Sequence, residues 1–225
     1  MTLPSLGSLT WLRAVDHPEL LAPATHAALS GWAVVDPTVA DRVAVAEIDP
    51  GLADTAAMTQ AYDLPPAASA NCVVVAGRRA GDERIAAAVV LATTRADVNT
   101  AVRRLLDVRK ASFLPTDRAT ELSQMEYGGI TPVGLPEAWQ VLVDSRVVAD
   151  GAGVGGVVIV GSGVRRSKLA LEGALLAELP GAEVVEGLGV ALDGPEGSRL
   201  LPHQVAGGPV RPASPRTRPP TPRPR

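Results

Sequence analysis

One cysteine, three histidines and six aromatic residues are all that this 225-residue chain holds of those types, and each scarcity removes a class of function. Cys72 alone forms no internal disulfide. Lying in an apolar run with no identifiable histidine base, it reads as a small hydrophobe rather than a nucleophile. His17, His26 and His203 show no metal-ligand spacing, so no structural metal is expected. Trp11, Trp32 and Trp139 are too dispersed to build a stacking platform for single-stranded nucleic acid. No apolar run approaches the roughly 20 residues that cross a bilayer, and the start lacks the basic residues and apolar stretch of a secretory signal. No membrane contact and a cytoplasmic location are the expectation.

What is present suits one ordinary core, with 46% hydrophobic residues. Residues 208–225 carry five arginines and no acid, so the formal net charge of −3 becomes −8 for residues 1–207. An acidic body is poorly suited to gripping a long phosphate backbone, and any such contact is expected to be a small local patch. From about residue 194 the composition turns to glycine, proline and arginine, which cannot bury enough apolar surface to fold. Residues 191–225 therefore read as a disordered, solvated tail, in preference to a basic tether. Residues 1–44 read as a poorly ordered arm followed by a helix, and 45–190 as the main domain.

Along the chain, Asp16 is expected to cap a helix over residues 18–32, with a strand at 43–48 and an Asp54-capped helix through Ala61. Residues 72–76 and 85–92 read as a β-hairpin with a charged turn over 78–83. Asp97 is placed to cap a helix through Leu106, followed by a strand at 111–113 and a helix over 116–125. Strands are expected at 140–144 and 157–160, then helices or turns through Ala177, with residues 183–186 closing the domain. The irregular alternation favours a mixed sheet over a regular doubly wound one.

Three glycine-bearing segments differ in meaning. Gly151-Ala152-Gly153-Val154-Gly155-Gly156 fits G-x-G-x-x-G literally, but a β-branched strand follows where a dinucleotide site needs a helix. It reads as a hairpin loop, and no cofactor is expected. Glu126-Tyr127-Gly128-Gly129-Ile130-Thr131-Pro132-Val133-Gly134-Leu135-Pro136 packs three glycines and two prolines into eleven residues. Glycine lets a main chain approach a ligand closely and proline removes competing conformers, so this loop reads as a site. Gly161-Ser162-Gly163, after a strand and before Arg165, Arg166 and Lys168, reads as an anion or ester-carbonyl cradle.

Residues 125–136, with Val157-Val158-Ile159-Val160-Gly161-Ser162-Gly163, resemble the bacterial YbaK/EbsC proteins, aminoacyl-tRNA deacylases related to the editing domain of prolyl-tRNA synthetase. The resemblance, over about residues 45–190, implies an α/β (mixed α+β) single domain with a curled mixed sheet flanked by helices. It also implies a trans-acting hydrolase that cleaves the ester of a mischarged tRNA carrying a small amino acid by water attack. The acceptor end of aminoacyl-tRNA would be the partner, with an aminoacyl-tRNA synthetase as a docking partner and no cofactor or metal. Substrate-binding residues would be Gly128, Ile130, Thr131, Pro132, Gly134, Gly161 and Gly163, with Asn71, Gly129 and Ser162 in the catalytic set. Many members carry a substrate-holding lysine where this chain has Asn71. That departure keeps a second reading open, a non-catalytic module binding an amino-acid-like ligand or a protein partner. Lys110 falls in another segment and does not replace the missing lysine. Neither Cys72 nor Ser162 has the surroundings of a covalent nucleophile, so attack by a bound water is preferred, with backbone amides serving the oxyanion.

Overall fold

The computed structural model describes residues 3–150 and 155–192. The tail expected to be disordered lies outside the described residues except for its first two positions, as do residues 151–154 of the G-x-G-x-x-G segment.

Hairpin formation sets the centre. β3 (Ala70–Arg79) and β4 (Asp82–Leu91) pair antiparallel over their full lengths, from Ala70↔Leu91 to Arg79↔Asp82. The turn is only Ala80-Gly81, both at positive φ, as a two-residue hairpin turn that follows the sheet twist requires. The charged stretch 78–83 expected as the turn is thus mostly strand. Its charges are of opposite sign across the ladder, Arg78 opposite Glu83 and Arg79 opposite Asp82, at an exposed end of the hairpin. β4 continues inward through Ala86, Ala87, Ala88 and Val89, all fully buried, the pattern of a strand covered on both faces.

Around the hairpin a mixed five-stranded sheet runs β10-β7-β4-β3-β6, with β6 at Ala111–Phe113, β7 at Gln140–Asp144 and β10 at Ala182–Val185. β10–β7 and β7–β4 are parallel, and the remaining pairs are antiparallel. A four-stranded antiparallel sheet runs β1-β2-β9-β8, from Leu12–Arg13, Val43–Glu47, Ser167–Glu172 and Val157–Gly161. A β-bridge between Ser69 and Ile159 joins the two sheets at the base of β3. β5 (Thr94–Ala96) and β11 (Gly189–Ala191) form a small third sheet. The mixed architecture agrees with the sequence expectation.

Several local readings change. Residues 167–172, expected as helix or turn, form β9, because a strand buried on both faces shows no alternation to read. The helix expected from Pro18 is a short 3-10 turn (Pro18–Leu20) followed by α1 (Pro23–Val35). Pro23 starts α1, since its missing N–H costs nothing at that position, and Asp16 makes no cap. The strand β7 passes directly into a helix (Ser145–Asp150), so a helix rather than a strand precedes residues 151–154, and the hairpin-loop reading of that segment lies outside the described residues. The Asp144 carboxylate nucleates that change by accepting the Arg146 N–H at 2.9 Å. Asp54 and Asp97 do accept first-turn N–H groups, from Ala56 at 3.1 Å and Thr100 at 3.0 Å. Residues 3–13 do not stand off as an arm: Leu3, Leu6 and Leu9 pack on the cluster that buries Trp11, and β1 completes a sheet.

Candidate active site

Two glycine-bearing turns far apart in sequence are stitched together. Gly163 N–H donates to Gly129 O at 2.7 Å, Glu126 N–H donates to Gly163 O at 2.8 Å, and the Glu126 carboxylate accepts Arg165 N–H at 2.7 Å. The closeness excludes side chains: a Cβ on Gly129 would sit 2.5 Å from the Val164 carbonyl, and one on Gly161 would sit 2.4 Å from Ile130 O. The N-terminal part of α1 braces both turns from behind. Ala22 N–H donates to Ser162 O at 3.1 Å, Thr25 Oγ1 donates to Val133 O at 3.2 Å, and Gly134 lies against Ala24 O.

In front of these turns, between them and β3, is a cavity of about 80 Å³. That is roughly half of the ~150 Å³ of an engineered apolar cavity that accepts benzene, so a small side chain suits it better than an aromatic one. Asn71, Cys72, Gly128, Ile130, Gly161 and Lys168 are on its lining. Exposed Phe113 and Tyr127 are there too, whereas the tryptophans, which the sequence showed to be too dispersed for a stacking platform, are not.

Lys168, on β9, is the one charged side chain on the lining among the described residues and is only 7% exposed. Burial, aided by the Arg165 charge and opposed by Asp54, lowers its ammonium to about 8. It therefore stays mainly charged at neutral pH. Nζ donates to Gly128 O at 3.0 Å, which leaves two of its three donors without a protein acceptor among the described residues. A buried cation with one acceptor is costly to the fold and typical of a functional site.

Other polar groups are similarly under-used. Ser69 Oγ, also on the lining, is buried without a hydrogen-bond partner. Asn71 Oδ1 accepts from Thr55 Oγ1 at 3.1 Å, which orients the amide and leaves its NH₂ unpartnered among the described residues. The N–H groups of Gly128 and Ile130 likewise have no protein acceptor among them.

The expected site residues thus divide. Asn71, Gly128, Ile130 and Gly161 line the cavity. Gly129 and Gly163 form the crossing of the two turns, while Thr131, Pro132 and Gly134 continue behind it, with Thr131 Oγ1 accepting from Val133 N–H at 3.4 Å. Ser162 is fully buried and its hydroxyl faces Ser167 Oγ at 2.7 Å and the carbonyls of Val164 and Ser167, a turn-holding arrangement away from the lining. Burial pushes the Cys72 thiol up to about 12, which leaves it an inert thiol. Sequence reasoning named Lys168 only as one of three cations beside the second turn and left it out of the expected site, because the stretch gave no hint of the strand that carries it to the lining. Lys110 lies elsewhere, in a separate trench.

The profile of the aminoacyl-tRNA editing domain family matches residues 49–179. No curated protein matches the sequence. Among solved structures, a candidate trans-editing enzyme for prolyl tRNA synthetase superposes with a TM-score of 0.57 at 19% identity, covering 74% of this chain and 97% of that one. A protein described only as hypothetical gives 0.59 at 18% identity, covering 72% and 99%. A scaffold from computational epitope grafting gives 0.57 at 20% identity, covering 76% and 100%. At these identities the structures speak to the fold, and the profile, spanning more than half the chain and both glycine-bearing turns, speaks to the family: this chain belongs to the aminoacyl-tRNA editing domain family.

Proposed function

We propose that the protein is a trans-acting deacylase that hydrolyses the ester of tRNA mischarged with a small amino acid, with Lys168 taking the substrate-holding part that the resemblance assigns to a lysine at position 71. The observation that carries this reading is the buried, under-partnered ammonium of Lys168 beside the Gly128 carbonyl. Its two remaining donors suit ester and ribose oxygens, and the Asn71 amide, oriented by Thr55, adds a neutral donor. As a water oxygen bonds to the ester carbon, the developing oxyanion falls to the unpartnered N–H groups of Gly128 and Ile130. The ester C–O bond then breaks, with one of the water's two protons ending on the departing ribose oxygen and the other leaving from the new carboxyl group as it ionises. An aminoacyl ester is already activated, so positioning can replace a strong base. The cavity of about 80 Å³ and the unpartnered Ser69 hydroxyl support a small amino acid.

The test is release of amino acid from a panel of charged tRNAs, including alanine and cysteine on tRNA-Pro, by wild type and by Lys168→Met. Selective release that the methionine variant loses is the expected result. No release by wild type from any member of the panel would overturn the reading in favour of a non-catalytic binding module.

A further inference from the structure

A second depression adjoins the cavity. The outer part of β3, the approach to β6 and the start of the helix Thr116–Ser123 line a trench of about 390 Å³. Its lining carries Arg78, Arg109, Lys110 and Arg118 against a single acid, Glu83. Glu83 is already engaged, because both its oxygens accept from Arg118, at 3.0 and 2.8 Å. Arg78, Arg109 and Lys110 are exposed and make no ion pair among the described residues. The neighbouring cations Arg79 and Arg84 differ, since Asp107 pairs with both, at 2.7 and 3.2 Å. Uncompensated positive charge is therefore gathered in the trench of a chain whose first 207 residues are net acidic. Such a patch attracts a polyanion locally rather than over the whole surface. Phe113 lines both the trench and the cavity and is 44% exposed, which puts an aromatic face at their junction.

We propose that this trench is the docking track for the single-stranded 3′ end of tRNA. Its phosphates lie along Arg78, Arg109 and Lys110, and its terminal base stacks on Phe113, so that the esterified ribose reaches Lys168. The inference rests on the deacylase reading and adds to it the face from which the RNA enters.

The experiment is a fluorescence-anisotropy titration of uncharged tRNA into the full chain across a series of salt concentrations. It compares wild type with R78A/R109A/K110A, and with R95A/R104A as a control for lost charge elsewhere. The trench variant is expected to bind roughly tenfold or more weakly, with a log–log salt slope shallower by about 2, as the loss of three single-strand phosphate contacts predicts. The control should track wild type. A trench variant that tracks the control, or a wild type that does not bind tRNA, would overturn the track. Hydrolysis of aminoacyl-adenosine, which has no phosphate, separates the two ideas: its absence in wild type sinks the deacylase reading, whereas the trench is judged by binding alone. In that assay Phe113→Ala should raise KM roughly fivefold or more, since stacking on the base is lost. An unchanged KM would remove Phe113 from the proposal.

Discussion

The cavity and the trench are both positive and handle charge in opposite ways. In the cavity one ammonium is withdrawn from water, given a single acceptor, and lowered to about 8 by burial. In the trench three cations stand in solvent without partners among the described residues. A desolvated charge acts strongly on the few atoms it touches and is little affected by salt. Exposed charges act over longer distances, weakly and under screening. In the proposed function this difference separates positioning of the ester from capture of the RNA, and each can be broken without the other.

Lys168→Met should have the largest effect. It removes the only charged group on the cavity lining among the described residues, and loss of about 100-fold or more in kcat/KM is expected, the scale for removing a preorganised donor. The same variant should melt no lower than wild type, because an apolar chain replaces a poorly compensated buried charge. A fall in both activity and melting temperature would assign Lys168 to structure rather than to substrate.

Next comes Gly129→Val. The added side chain would meet the Val164 backbone at about 2.5 Å and force the two turns apart. A loss of roughly tenfold or more in hydrolysis is expected, with circular dichroism unchanged away from the melting transition. Retained activity would show that the crossing of the turns does not matter to the site.

Asp144→Asn tests a region remote from both. The buried carboxylate accepts from Gly189 N–H and the Arg146 side chain, and these bonds outweigh the burial that opposes ionisation, so its pKa lies below the usual range. Its contribution is present above the unfolded carboxylate pKa and is lost as pH falls through the lowered folded value. Denaturant unfolding at pH 7 should show a loss of about 2 kcal/mol, shrinking in acid. A loss that stays constant with pH would remove the ion pair as its cause.

The smallest effect concerns pH. The Lys168 ammonium is penalised in the fold, so the folded chain holds fewer protons than the unfolded chain between about 8 and the ordinary lysine value of 10.5, and stability from this group rises with pH across that window. Substrate holding runs the other way. The enzymatic rate, after subtraction of spontaneous hydrolysis, should fall severalfold as pH rises through about 8. A profile for wild type parallel to that of Lys168→Met would sever the link between rate and ammonium.

Much of this was legible in the residues. The hairpin showed itself through two β-branched runs around a polar turn, and Asp54 and Asp97 showed themselves as caps because capping is local chemistry. The Gly128 loop was recognisable because glycine and proline at that density hold a backbone in a fixed, close-approach shape and contribute little to a core. What failed was anything decided by burial on both faces or by pairing at a distance. Strand β9 has no alternation because neither face meets water, so Lys168 stood among the three cations beside a turn with no sign that it alone enters the cavity. Ser162 looked like a pocket hydroxyl because sequence does not say which way a turn residue points, and Ser167 claims it.

The sequence by itself determined the family, the mixed sheet class and the backbone character of the site, since glycine and proline act on their own φ and ψ wherever they stand. Only the tertiary structure decided which cation enters the cavity. Position 71 carries asparagine, and β9, 97 residues later in the chain, brings Lys168 to the same lining because pairing with β2 and β8 fixes its register. A one-residue slip in that register would turn the lysine to the other face of the sheet, so its role is set by the ladder rather than by its neighbours in sequence.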